Sequence, residues 1–429
     1  MWHQIGTGIR ARRLAVRRSA GTAEPAVPAG RATPAARWPA LEYETLPWNS
    51  SYPPGVASRG QIRQHQGPYR AAIPAAIAEL EVSLPGEVQA AAADAANEVA
   101  RFDAELGGEI ALFGAVLMRS ESAASSRIEN LTASARAIAE AEIGVAGRRD
   151  AFQIVANTRA LDAAIAMADR LDAESVLAVH RALMEATEPD IAGRWRQEQV
   201  WIGGGSIGSH HAMFVPPHHS RVAPAIEDLV AFVRRDDVPV LPHAAVAHAQ
   251  FETIHPFPDG NGRTGRALLH AMLRHKALTR NVTVPVSAGL LTDTQAYFDA
   301  LDAYRAGDPS VIVAQLSDAS FSAIANGRQL VGELRAIRSG WDERIRARRD
   351  STAWRVADLV LRHPVVNAAF LANQLGVAAR NVYRHIEPLQ EAEVLTEFTD
   401  KQRGRAWRSI EVLAALDAFA ARGTGRRSG

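Results

Sequence analysis

The chain has 429 residues, 47% of them hydrophobic, with 48 basic residues against 47 acidic ones and no cysteine. At roughly 100–200 residues per domain this predicts two to three domains with real cores. The composition argues against global disorder, a disulfide scaffold, thiolate metal sites and cysteine nucleophiles, and no apolar run of roughly 18 residues is present to span a bilayer.

The lack of cysteine fits a reducing compartment, so a cytoplasmic protein with no membrane partner is expected. All basic residues except Lys276 and Lys401 are arginine, so the number of arginines says little about function. Their placement says more. Residues 1–40 carry a net charge of +6 and residues 340–429 a net +4, so a net total of +1 conceals an acidic middle.

In chain order, residues 1–40 are rich in Arg, Ala and Pro and read as a disordered extension. A targeting peptide is the rival, but no continuous apolar stretch supports a secretory signal. Residues 41–150 form a mostly helical N-terminal region, extended to about residue 70 and helical from Tyr69 to Arg136. Residues 151–340 form the second region. It begins helical, with Leu177, His180, Arg181 and Leu183 on one face. A glycine-rich interval follows, in which 199–202 and 213–215 are expected to pair as a β-hairpin. Helices are then expected at 221–235 and 242–254, with Pro242 in the first helical position. Breaks fall near Pro285 and at 307–309. Residues 350–429 read as a separate module. It has a helix over 369–375, a turn at Gly376–Val377, a helix from Ala379 to about Ala392, and two short strands at 394–398 and 405–407.

The segment that carries chemistry is His255-Pro256-Phe257-Pro258-Asp259-Gly260-Asn261-Gly262-Arg263-Thr264-Gly265-Arg266, between two helices. A histidine can act as a base near neutral pH. A carboxylate four residues on can hold a hard cation such as Mg²⁺. A Gly-Asn-Gly turn at a helix N-terminus offers backbone N–H groups to an anion. Arg263 and Arg266 stand three apart and face the same side of that helix. Together these parts suit transfer from a nucleotide phosphate ester. Gly260 to Gly265 also spells GxGxxG, but a helix precedes it and residues 276–290 contain no acid, which rules out a dinucleotide site. A calcium loop fails because Arg263 and Thr264 stand where a ligand and a glycine are needed.

This segment resembles the signature of the Fic family, His-x-Phe-x-Asp/Glu-Gly-Asn-Gly-Arg-x-x-Arg, at every fixed position. The likeness extends to Gly193-Arg194-Trp195-Arg196, Phe214-Val215-Pro216-Pro217 and His248-Ala249-Gln250-Phe251-Glu252. It implies a mainly α fold, a Fic-type helical core with a small β-hairpin flap, and transfer of AMP from ATP to a hydroxyl of a target protein. Carried over by position, His255 is the general base and Phe257 packs the motif. Asp259 holds Mg²⁺, and Gly260, Asn261 and Gly262 cradle phosphate. Arg263 binds the phosphates and Arg266 the γ-phosphate. The hairpin 199–217 is the flap on which a target segment docks by strand addition. His210, His211, His218 and His219 are expected to be solvated or to touch the target.

Ser125-Ser126-Arg127-Ile128-Glu129-Asn130 resembles the family's inhibitory motif, with Ser125 and Glu129 on one helical face. The resemblance implies that Glu129 pairs with Arg266 and blocks the γ-phosphate position. Tyr297-Phe298 stands where the family often has aromatics near the base, with Tyr297 the candidate and core packing the alternative. Residues 371–384 look like a winged helix-turn-helix DNA-binding domain, with Arg380, Asn381 and Arg384 facing outward and Lys401, Arg403 and Arg405 at the wing. The same module could instead serve protein contacts or a homodimer. Two other functional readings stand beside AMP transfer. One is a Fic enzyme that uses another nucleotide or removes AMP. The other is a DNA-binding regulator with a nucleotide-sensing Fic domain.

Overall fold

The computed structural model describes residues 38–48, 58–145, 147–204, 208–399 and 405–424. Most of the expected N-terminal extension, the tip of the flap at 205–207, and the wing residues Lys401 and Arg403 lie outside them. Two strands, β1 (Glu42–Leu46) and β2 (Tyr69–Ile73), flank a short helix α1 (Arg59–Gln64) and pair antiparallel, Glu42 opposite Ile73. The helical expectation from Tyr69 onward is therefore corrected. Proline at 74 and 85 bounds a stretch with no helix, and helix begins only with α2 (Gly86–Glu105).

There follow α3 (Ile110–Ile128), α4 (Ala135–Glu142), α5 (Arg149–Ala166), α6 (Ala173–Met184), α7 (Val222–Val233), α8 (Val240–Ile254), α9 (Asn261–His275), α10 (Val286–Leu290), α11 (Thr294–Arg305) and α12 (Ser310–Arg344). Every residue from Leu241 to Ile254 is buried. A helix hydrophobic all round must lie in the middle of its bundle, and α8 does, between α7, α9, α11 and α12. Pro242 is the third residue of α8, not the first, because Pro239 already serves as the N-cap.

Between α6 and α7 the expected hairpin shrinks to one bridge, Ile202 opposite Phe214. Ile202 N–H donates to the Phe214 carbonyl at 2.8 Å, and Phe214 N–H returns the bond at 3.2 Å. Pro216 and Pro217 have no N–H to extend the ladder. The Gln199 amide fills in, donating to the carbonyls of Pro216 and Val200. On its other side the segment is taken by the chain's own β2, since Ala72 N–H donates to the Val215 carbonyl at 3.0 Å.

The last part contains α13 (Thr352–Arg362), β3 (Val365–Asn367), α14 (Ala368–Leu375), α15 (Ala379–Glu391), β4 (Thr396–Glu397), β5 (Ala406–Arg408) and α16 (Ile410–Arg422), with sheet order β3-β5-β4. Val382, Ile386 and Leu389 point inward from α15, and Arg380 and Arg384 are exposed. Arg405 does not stand free. Its guanidinium pairs with Glu397 of β4 and lies over Tyr383 and Trp407. The part packs on the bundle through α16: Trp341 and Arg344 of α12 hold Glu411, and Arg422 pairs with Glu333. The described residues form one compact unit.

Candidate active site

α8 ends at His255, whose φ of 49° is left-handed, uncommon for a residue with a side chain. That turn is held from outside. Arg196, 1% exposed, donates from Nε to the His255 carbonyl at 2.8 Å and from its backbone N–H to the Pro256 carbonyl at 3.0 Å. Its other nitrogens reach the carbonyls of Glu198 and Pro217, so one buried guanidinium ties both legs of the flap to the histidine turn.

The loop after it is closed by the Asn261 side chain, which accepts from Phe257 N–H at 2.8 Å and donates to the Phe257 carbonyl at 2.9 Å. Phe257 is sealed in the core and stacked on the His180 ring, centroids 3.6 Å apart. His180 Nδ1 accepts from Gly193 N–H, so Nε2 carries the proton and donates to the Asp259 carbonyl at 3.0 Å. Gly260, with φ of 78°, turns the chain into α9 as its N-cap. The Asp259 side chain is largely exposed. One oxygen accepts from Gly260 N–H at 2.6 Å and the other lies 3.6 Å from Arg263.

α9 then presents its two arginines, each 3% exposed. Arg266 donates from Nε to Ser125 Oγ at 2.9 Å, and from one terminal nitrogen to the Ser125 carbonyl at 2.9 Å and to Glu129 Oε1 at 2.8 Å. Glu129 caps the C-terminus of α3, and Asn130 turns away with φ of 62°. The Glu129 carboxylate lies against Gly262, where an added Cβ would stand 2.0 Å from Oε1. The first turn of α9, with its outward N–H groups, thus already has an anionic oxygen beside it. Arg263 Nε is buried and has no hydrogen-bond partner among the described residues.

Residues 170–273 match the family model described as Fic/DOC family, a span that includes the whole of 255–266. These residues are a Fic/DOC family domain. A protein adenylyltransferase, fic-1, of Caenorhabditis elegans is 31% identical over 159 residues, 35% of this chain and 28% of the relative. A probable protein adenylyltransferase of Aquifex aeolicus is 36% identical over 93 residues, 20% of this chain and 29% of the relative. The chain thus spans under a third of the length of these curated relatives. A solved Fic family protein from Desulfovibrio desulfuricans is 21% identical, with a TM-score of 0.45, covering 76% of this chain and 97% of that one.

Burial dominates the electrostatics of the Fic domain. It lowers His255 to about 3, helped by the nearby guanidinium groups of Arg196 and Arg305 and opposed by the Glu252 carbonyl, so the imidazole is neutral. Burial likewise lowers His180 to about 4 and His248 to about 3. It raises Glu252 to about 7, with the Glu129 charge adding to the effect and Arg266 opposing it. Burial also works against the charge on Arg266, but Glu129, Tyr297 and Glu252 outweigh it and hold that guanidinium firmly protonated.

Three side chains of these segments already have partners within the chain. Tyr297 is 1% exposed and its hydroxyl meets His248 Nε2 at 2.8 Å. Its ring has no open face for a base, so it serves the core beside Arg266. The Asn261 side chain is spent on the Phe257 backbone. His210 is half-buried: its ring packs edge-on against Trp48 and its Nε2 meets the Gly67 carbonyl.

Several residues escaped the sequence reading. Arg196 and His180 lie in segments that were noticed, but one arginine among many and one histidine on an apolar face carry no local mark of their role. Asn157 of α5 donates to the Ser122 carbonyl and to Ser126 Oγ, and so holds the end of α3. Glu121 of α3 accepts from Ser287 and meets His270 Nε2 of α9 at 2.9 Å, one helical turn from the Ser125–Arg266 contact. No periodicity in sequence distinguishes these polar residues from solvated ones.

Proposed function

We propose that the chain is a self-inhibited protein adenylyltransferase that transfers AMP from ATP to a hydroxyl side chain of a target protein and releases pyrophosphate. The observation that carries this is the triple hold on Arg266 by Ser125 and Glu129 inside a site that also contains His255, Asp259 and Arg263. Curated relatives named protein adenylyltransferase support ATP as the substrate.

The chain's own residues divide the work. His255, neutral and fixed by Arg196, takes the proton of the target hydroxyl. Arg263, with its unsatisfied buried Nε, and the N–H groups at the start of α9 receive phosphate oxygens. Arg266 takes the last phosphate once Glu129 leaves. Among the described residues no group of three acidic or histidine side chains could hold a metal ion. Asp259, exposed and hard, is one carboxylate of the kind Mg²⁺ uses when substrate phosphates and water complete its shell. Mg²⁺ would neutralise phosphate charge there. A target segment would dock on the flap segment 199–217. The cysteine-free composition fits a cytoplasmic setting; among the described residues no helix is long and apolar enough to cross a membrane.

Incubation of wild type, Glu129→Gly and His255→Ala with labelled ATP and Mg²⁺ tests this. Label on protein should rise with Glu129→Gly and vanish with His255→Ala. Absence of label in every variant, across several labelled nucleotides, overturns it.

For residues 350–429 we propose DNA contact through α15. The exposed Arg380 and Arg384 face outward with no carboxylate partner among the described residues, and Asn381, next to Arg380 in the helix, is half-buried. Salt-dependent duplex binding, lost on Arg380→Ala with Arg384→Ala, is the expected result. Wing contacts are not part of this proposal for Arg405, which Glu397 already neutralises.

A further inference from the structure

Two glycines of α9 each leave room for a carboxyl group. Beside Gly262 that group is Glu129. Beside Gly265 it is Glu252 of α8, since an added Cβ at 265 would stand 2.9 Å from Glu252 Oε1 and 2.8 Å from the Phe251 ring. Only glycine lets this carboxyl lie against the residue that precedes Arg266. Glu252 is 6% exposed, and its Oε1 is buried with no hydrogen-bond partner among the described residues. A carboxyl so placed stays protonated unless a cation compensates its charge.

The charged and titratable groups around Glu252 come from four elements. They are Glu129 at the end of α3, His248 and His255 on α8, Arg266 on α9, and Tyr297 and Arg305 on α11. Most are engaged elsewhere. The Tyr297 hydroxyl meets His248 Nε2, and Arg305 pairs with Asp302 while donating to the Glu252 backbone carbonyl at 3.4 Å. Arg266 is the cation whose charge Glu252 feels most, and Glu129 already holds it.

We infer that Glu252 is a positioning residue for Arg266, a reserve carboxylate that competes with Glu129 and holds the guanidinium when Glu129 leaves. This rests on the proposed braking role of Glu129. Two like charges beside one guanidinium repel, so Glu129 in place favours the protonated form of Glu252. When Glu129 withdraws, Glu252 gives its proton to solvent and pairs with Arg266, which keeps the guanidinium in place for the last phosphate. The braked form therefore binds more protons than the released one. Acid strengthens the brake, and a rise of pH through about 7 weakens it.

The test uses the full chain with labelled ATP and Mg²⁺ between about pH 6 and about pH 8.5. The ratio of AMP transfer in Glu129→Gly to that in wild type should fall at least about fivefold across this range. With Glu252→Gln in both chains, neutral at every pH, the ratio should stay high and flat. In the Glu129→Gly background, Glu252→Gln should raise the KM for ATP more than it lowers kcat, because Arg266 has lost its support. Infrared spectroscopy reads the proton without turnover. The protonated-carboxyl band of wild type should be reduced in Glu252→Gln and should titrate at lower pH in Glu129→Gly than in wild type. That last comparison needs no variant at 252, so it stands even if Glu252→Gln does not fold. A band that titrates alike in wild type and Glu129→Gly, or a transfer ratio that does not change with pH, overturns the inference. If the band shifts as expected but no variant transfers AMP, the link between Glu252 and Glu129 is retained and the adenylyltransferase reading fails instead.

Discussion

Two pairs of arginines stand on two helices of this molecule and have opposite surroundings. Arg263 and Arg266 on α9 are almost fully buried, and Arg266 has a partner on each side. Arg380 and Arg384 on α15 are exposed, and neither meets a carboxylate among the described residues. Burying a guanidinium is costly unless a partner compensates it, so the first pair persists only because Ser125, Glu129 and Asp259 face it. The second pair costs nothing to keep and constrains nothing in the fold. In a chain whose basic residues are nearly all arginine, burial with compensation separates the pair that the fold must hold in place from the pair that it leaves free.

The contrast can be broken in order of effect. Loss of the base in His255→Ala should cut AMP transfer by about 10²–10⁴-fold or more, read as labelled product per unit time, with the fold unchanged by circular dichroism. Removing the brake in Glu129→Gly should raise transfer at least about tenfold, because Arg266 keeps only its Ser125 contacts. Truncation of Arg266 to Ala should cost about 2 kcal/mol of unfolding free energy in a urea titration, since Glu129 and Ser125 lose their charged partner. The partial exposure of Glu129 keeps that figure below the cost of breaking a fully buried pair. By contrast, Arg384→Ala should shift stability by no more than about 0.5 kcal/mol.

Acid should also separate the two regions. His255, His180 and His248 are held neutral in the folded chain, with values of about 3 to 4, well below that of an unfolded histidine. The unfolded state therefore binds more protons between about pH 6.5 and 4, and stability falls as pH falls through that window. Glu252, raised to about 7, acts in the opposite sense and favours the folded state as pH falls from 7 toward 4.5. Three groups against one leave a net loss on acidification. Hydrogen exchange at pH 5 should show α8 and α9 losing more protection relative to pH 7 than α15.

Much of the fold was legible. The helices of the second region, the turn at Gly376 and the two short C-terminal strands follow local period and turn chemistry. The start of the bundle was misread because alanine-rich sequence continues across Pro74 and Pro85, where the chain is in fact extended. The flap pairs less than its β-prone runs imply because Pro216 and Pro217 have no N–H to extend the ladder. Tyr297 was left open between site and core because an aromatic pair in a helix has the same spacing whether it lines a site or fills a core.

What the sequence by itself determined is the chemistry held within single short segments. His255 through Arg266 lie within one helix-turn-helix span, and Ser125 and Glu129 within one helical turn and its cap, so their relative placement follows from backbone geometry and from the resemblance they carry. Only the tertiary structure decided that Glu129 meets Arg266 across a separation of 137 residues, with its carboxylate lying against Gly262. It also decided that Arg196 and His180 fix the turn from His255 to Asp259. Those arrangements depend on which helix faces pack together, and periodicity along one helix does not encode its neighbour.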